Sequence, residues 1–151
     1  MKKILPLVFS LLLFACNPNT SQSLDKIDLS QKYYNNAEII ELETKQDYLN
    51  IVADEESFIL YVYNPTCYAC GLFDPHLASF VEIEKIAVLR IRASVALSTN
   101  IGEYVSYTPS VLIFKLGQFY VMLDPTVAED ESGFTTSAGF TAWVYTYINK
   151  V

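Results

Sequence analysis

The sequence predicts an α/β fold in which helices flank a central mixed sheet, with the element order β-α-β-α-β-α-β-β-α. The segment FILYVYN, residues 58–64, is an unbroken apolar and aromatic run, which is typical of a strand buried on both faces. Strand-like and helix-like patterns then alternate along the chain, which favours a largely parallel sheet. The segment SVLIFKLGQFYVML, residues 110–123, reads as two strands around a tight turn and adds an antiparallel edge.

The other elements of the first two thirds follow from local patterns. AEIIELE, residues 37–43, predicts a short first strand, and Thr44 is placed to cap the helix that follows. Apolar residues at helical spacing after residue 70 predict a second helix, which Pro75 should kink. IAVLRIR, residues 86–92, predicts another buried strand, and a short helix is expected over 97–105.

Two segments complete the chain. DPTVAEDESGFTTSAG, residues 124–139, is longer than a usual connection and acidic. It is interpreted as a solvated loop, with a contact surface for one dedicated partner as the alternative. FTAWVYTYINKV, residues 140–151, repeats apolar side chains with the spacing of one helix face, which predicts a C-terminal helix.

Composition excludes several classes of function. The chain has 151 residues, of which 52% are hydrophobic, so one domain with a substantial core is expected. The net charge of −7 argues against nucleic acid as a partner, because phosphate binding needs clustered lysine and arginine. Three cysteines are too few for a domain built on disulfides.

The N-terminus predicts export and membrane attachment. Residues 1–16 join two lysines to a short apolar run ending in Leu-Phe-Ala-Cys, which resembles a lipoprotein signal with Cys16 as the lipidated residue. An ordinary signal peptide with an incidental cysteine is the alternative. A lipid anchor would hold the protein on the outer side of the cytoplasmic membrane, where disulfides persist. Residues 17–36 are polar and predict a flexible tether before a domain over 37–151, although Tyr33 and Tyr34 could instead pack on that domain.

Cys67 and Cys70 lie three residues apart between the strand at 58–64 and the second predicted helix. Such a pair can exchange disulfides, hold a metal or brace a turn. A zinc site needs about four ligands, and the chain offers one histidine, His76, so no metal is expected. A permanent structural disulfide stays open, because the predicted compartment is oxidising.

A buried strand that leads into C-x-x-C at a helix start resembles the thioredoxin superfamily, and the resemblance covers about residues 37–151. Pro75 follows Cys70 by five residues, where thioredoxins often carry a helix-kinking proline. Thr108-Pro109 stands just before a strand, where the family carries its cis-proline, and Gly117 falls in the last hairpin.

The resemblance implies a thioredoxin-like fold and a thiol–disulfide oxidoreductase that needs no cofactor. Cys67, at the helix N-terminus, would be the nucleophile, and Cys70 would resolve the mixed disulfide. Thr108, Pro109 and Tyr68 would contact the substrate, with an extended segment pairing beside the cis-proline. Protein or peptide thiols and disulfides, together with a separate redox partner, are the expected partners.

The sequence also departs from the family. Thioredoxins tend to keep a buried Asp six residues before the first cysteine, and that position here is Tyr61. Deprotonation of Cys70 would then need water or Asp74. The dipeptide between the cysteines, Tyr68-Ala69, matches neither the usual reductants nor the usual oxidants. These departures keep open an accessory or binding lipoprotein, for example of a peptide-export system, whose Cys67–Cys70 disulfide is structural.

Overall fold

A mixed sheet of five strands forms the centre of the protein, as the sequence predicts. The structure, a computed structural model, describes residues 25–150. The spatial order is β1-β3-β2-β4-β5; β3 pairs in parallel with β1 and β2, and β4 pairs antiparallel with β2 and β5. The strands are β1 (Ile39–Leu42), β2 (Phe58–Tyr63), β3 (Val88–Arg92), β4 (Ser110–Lys115) and β5 (Gln118–Leu123).

Helices cover both faces of the sheet. The side chains of β2 alternate between the two faces and are buried on both, so each face offers an apolar surface to a helix. Phe58 stacks on Phe114 of β4, which also contacts Tyr48 of the first helix. Tyr61, which points to the opposite face, packs its ring edge-on against Phe73 of the second helix at a centroid distance of 5.3 Å. The helices are α1 (Lys45–Ala53), α2 (Tyr68–Glu84), α3 (Ala93–Ala96), α4 (Glu131–Thr135) and α5 (Ser137–Tyr147).

Three local features agree closely with the sequence pattern. Thr44 caps α1 through a reciprocal capping box with Asp47, which satisfies two backbone N–H groups at the helix start. Pro75 lies inside α2, as predicted, and the helix continues past it to Glu84. The hairpin between β4 and β5 turns on Leu116 and Gly117, both with positive φ, as a two-residue turn of this type requires.

Two predicted segments were wrong in detail. The helix expected over 97–105 is replaced by α3, which ends at Ala96, and by a 3₁₀ turn at Asn100–Glu103. The loop expected over 124–139 contains a 3₁₀ turn, Ala128–Asp130, followed by α4, so the element order gains one helix. Phe134 of α4 packs on Phe73, a long-range contact that the local sequence pattern does not reveal.

Residues 25–36 belong to the domain, which contradicts the tether predicted over 17–36 for the part of it that the structure describes. Ile27 forms a parallel bridge with Ile148, and Tyr34 forms an antiparallel bridge with Ile86. The Tyr33 hydroxyl donates to the carboxylate of Glu56. Burial of its apolar side chains therefore holds this segment against the domain. The alternative that Tyr33 and Tyr34 pack on the domain is confirmed. The buried side chains of this segment are Ile27, Leu29, Tyr33 and Tyr34.

The predictions for residues 1–16, including lipidation of Cys16, lie outside the described residues, as does the tether over 17–24. Within residues 25–150, none of the helices has both the length and the apolar character needed to cross a membrane.

Candidate active site

The first cysteine lies at the junction between the central strand and the longest helix. After β2 ends at Tyr63, the main chain turns at Asn64, whose carbonyl oxygen accepts from the Cys67 N–H at 3.0 Å. Cys67 is the N-cap of α2, and its sulfur accepts a hydrogen bond from the backbone N–H of Cys70 at 3.1 Å. The sulfur therefore occupies the place where unpaired amides and the helix dipole favour negative charge.

The two thiols differ in environment and in acidity. Both are free in this structure; Cys67 is half-buried, whereas the Cys70 side chain is only 2% exposed. Burial alone would raise the pKa of Cys67, but hydrogen bonds from the side chains of Cys70 and Thr108 and from backbone amides outweigh it, so the net shift is downward. Burial, followed by the hydrogen bond with Cys67, raises the pKa of Cys70. Cys67 is thus the better nucleophile of the pair.

The sheet brings Thr108 and Pro109 to the cysteines. Val62 near the end of β2 pairs with Ser110 at the start of β4, so the residues preceding β4 lie beside the start of α2. The Thr108–Pro109 peptide bond is cis, and the Cys67 thiol donates to the Thr108 carbonyl oxygen at 3.3 Å. Thr108 and Pro109 therefore lie beside Cys67 at one end of the sheet.

A groove of about 600 Å³ opens beside the cysteines. One wall is the first turns of α2, and the other is the segment 125–135, which includes α4. His76 lies on the groove wall, with its Nδ1 3.2 Å from the Ser137 hydroxyl. The residues that line the groove are mostly apolar and include Ala69, Leu72, Pro109, Val127 and Phe134. The segment predicted as a solvated loop thus forms part of a surface next to the cysteines.

Solved structures of other proteins have a similar fold. A thioredoxin from Halobacterium salinarum aligns with a TM-score of 0.58 and 14% identity, over 76% of this chain and 95% of that one. The oxidised thioredoxin of Plasmodium falciparum has a TM-score of 0.57 and 12% identity, over 74% and 100%. Thioredoxin O2 of Arabidopsis thaliana, also oxidised, has a TM-score of 0.55 and 10% identity, over 75% and 96%. The protein has the thioredoxin fold. No protein family and no curated protein sequence matches the chain.

The thioredoxin fold explains which predicted residues come together. Cys67, Cys70, Thr108 and Pro109 meet as expected, whereas Tyr68 projects outward with 83% of its surface exposed. Exposure leaves Tyr68 free to contact another molecule beside the pair. Within the described residues 25–150, no group of three or more His, Cys, Asp and Glu side chains could hold a metal ion.

Tyr61 is the residue at this site whose contacts sequence reasoning did not anticipate. It lies on β2 six residues before Cys67, where thioredoxins tend to keep a buried Asp, and it is fully buried. Its hydroxyl donates to Oδ1 of Asp74 at 2.9 Å, and Asp74 lies one turn along α2 from Cys70. The alternation of β2 toward α2 is the sequence signal that could have placed it there.

Proposed function

We propose that this protein is a thiol–disulfide oxidoreductase that acts on protein substrates through Cys67 and Cys70. The observation that carries the proposal is the asymmetry of the pair. The Cys67 sulfur is accessible, caps the start of α2 and has a lowered pKa, while Cys70 is buried one turn further with a raised pKa. A reactive thiolate beside a protected thiol is what a two-step exchange needs.

The exchange proceeds in two balanced steps. The Cys67 thiolate attacks one sulfur of a substrate disulfide, forms a mixed disulfide and releases the other substrate sulfur as a thiolate. The Cys70 thiolate then attacks the Cys67 sulfur, which closes the Cys67–Cys70 disulfide and releases the second substrate thiolate. The substrate gains two electrons and the cysteine pair loses them. Starting from the oxidised pair, the same steps in reverse oxidise a substrate dithiol.

Substrate binding is proposed along the edge formed by Thr108 and Pro109. The backbone there lies beside the Cys67 sulfur, so an extended substrate segment that pairs with it would present a disulfide to the nucleophile. Tyr68 is exposed next to the pair and supplies an aromatic surface. The adjoining groove would take apolar side chains of the substrate.

The proposed place of action is the outer side of the cytoplasmic membrane, with Cys16 carrying the lipid. This part of the proposal is supported by the sequence of residues 1–16. Cys16→Ser should prevent incorporation of a labelled fatty acid and move the protein out of the membrane fraction. Retention of the label in Cys16→Ser would refute Cys16 as the lipid site.

The experiment that tests the exchange activity is capture of partners in cells. In Cys70→Ser the mixed disulfide on Cys67 cannot be resolved, so partner proteins should accumulate as adducts that a reductant releases. Cys67→Ser/Cys70→Ser is the matched control and should capture none. Equal adducts in both variants, or none in either, would contradict the proposed function.

A second candidate, a thioredoxin-fold binding lipoprotein with a structural Cys67–Cys70 disulfide, is favoured by the apolar groove, which could bind a partner without chemistry. The reduction potential separates the two candidates. A potential below roughly −300 mV is expected of a structural disulfide, whereas values between roughly −270 and −120 mV belong to exchanging pairs. The binding candidate also predicts that Cys67→Ser/Cys70→Ser keeps biological activity.

A further inference from the structure

The buried resolving cysteine needs a route for its proton. Cys70 must become a thiolate before it can attack the mixed disulfide, yet only 2% of its side chain is exposed. Burial also raises the pKa of Cys70, which makes loss of the proton at neutral pH harder. Neither β2 nor the turn between β2 and α2 contains a carboxylate that could accept this proton.

Tyr61 and Asp74 connect Cys70 to the surface. The Tyr61 side chain is fully buried against the face of α2 that also carries the buried residues Cys70 and Phe73. Its hydroxyl donates to Oδ1 of Asp74 at 2.9 Å. Asp74 lies one turn along α2 from Cys70 and is exposed to solvent. The three groups therefore run from a buried thiol, through a buried hydroxyl, to an exposed carboxylate.

We propose that Tyr61 and Asp74 form a proton relay that deprotonates Cys70 during resolution of the mixed disulfide. The Cys70 thiol gives its proton to the Tyr61 oxygen while the Tyr61 hydroxyl gives its own proton to Asp74. The resulting Cys70 thiolate attacks the Cys67 sulfur and displaces the substrate thiolate. Asp74 then releases the proton to solvent. The relay runs in the opposite direction when the oxidised pair accepts electrons.

Tyr61 is better suited to passing a proton from Cys70 to Asp74 than to removing the Cys70 proton as a base. Burial, followed by the nearby charges of Cys70 and Asp74, raises the pKa of Tyr61 far above neutrality, so the phenol does not act as an anionic base. A hydroxyl that accepts one proton while donating another stays neutral throughout. The titratable groups that act on Tyr61 are Cys70 and Asp74, and the titratable group that acts on Cys70 is Cys67.

The inference rests on the proposed function, and one stopped-flow experiment tests both separately. An excess of an aromatic disulfide reagent, 5,5′-dithiobis(2-nitrobenzoate), reacts with the reduced full-length protein in detergent and releases a coloured thiolate in two phases. The first phase depends on reagent concentration and reports attack by Cys67. The second is independent of reagent concentration and reports attack by Cys70. The released aromatic thiolate needs no proton, so the second phase isolates deprotonation of Cys70.

Tyr61→Phe and Asp74→Asn should each slow the second phase by about 10²-fold, the lower end of the range for general acid–base catalysis, and leave the first phase unchanged. In both variants the second phase should rise in proportion to hydroxide concentration, because solvent hydroxide then removes the proton directly. Phenylalanine keeps the ring packing on Phe73, and Asp74 is already solvated, so the fold should survive. Tyr48→Phe, another fully buried tyrosine whose hydroxyl bonds Asn100, is the matched control and should react like the wild type.

The outcomes separate the two proposals. If the second phase of Tyr61→Phe or Asp74→Asn matches that of the wild type in rate and in pH profile, the relay is overturned. The oxidoreductase proposal then still stands. A wild-type protein that shows no second phase overturns both, because Cys70 then resolves nothing. If Tyr61→Phe does not fold, Asp74→Asn on the exposed helix surface decides the question alone.

Discussion

Truncation of Ile27 tests whether the segment before β1 is part of the domain. The Ile27 side chain is 4% exposed, and its backbone is held on both sides, by Ile27 N–H to Tyr147 O and by Asn149 N–H to Ile27 O, each at 2.9 Å. Ile27→Ala removes three buried carbons, worth about 2.4 kcal/mol at roughly 0.8 kcal/mol each. The cavity left behind adds to this, so the free energy of unfolding should fall by about 3 kcal/mol.

Urea denaturation, followed by the fluorescence of Trp143, measures this loss. With a urea slope of roughly 1.5–2 kcal/mol/M, the midpoint should fall by about 1.5–2 M. Lys26→Ala, at the exposed neighbouring position, is the matched control and should change stability by less than about 0.5 kcal/mol. Equal midpoints for Ile27→Ala and Lys26→Ala would show that the segment is a detached tether after all, and would refute the reasoning.

Two further predictions concern the thiols and the last hairpin. Iodoacetamide should alkylate Cys67 and spare Cys70. Because the thiolate is the reactive form, the lowered Cys67 pKa should place the midpoint of the pH profile of its alkylation rate below roughly 8.5. Mass spectrometry of the labelled peptides measures both; a midpoint at or above that value, or equal labelling, contradicts the assigned asymmetry. Gly117→Ala should destabilise the protein by about 1–3 kcal/mol in urea, because φ is +73° and the new Cβ would lie 2.5 Å from the Val52 carbonyl oxygen. Gly71→Ala, which meets open space, is the control, and equal stability of the two variants would be inconsistent with strain at Gly117.

Local sequence patterns predicted the elements whose formation depends on near neighbours. The apolar run at 58–64 became β2 because it is buried on both faces, and Thr44 capped α1 because its bond to Asp47 spans only three residues. The cysteine pair lies at a helix start because the Cys67 sulfur caps α2 through a bond to the Cys70 N–H, which also spans only three residues. Resemblance supplied the expectation that Thr108-Pro109 would lie beside it.

The failures came from contacts between distant residues. The 3.6-residue period does not extend through 124–139, so α4 was missed, although its Phe134 is held by Phe73 of α2. The segment 25–36 has no period at all, and polarity alone suggested a tether. Its apolar side chains are nevertheless buried, because the end of α5 and the start of β3 provide partners for them.

The sequence by itself determined the central strand, the helix that begins at Cys67 and the absence of a buried Asp at position 61, because each is a property of a short stretch of chain. The tertiary structure decided which side chains surround Tyr61 instead. The Tyr61 hydroxyl meets Asp74 across 13 residues, and Ile27 meets Ile148 across nearly the whole domain. Such contacts exist only after helices pack on the sheet, since packing, and not any local period, sets which side chains face each other.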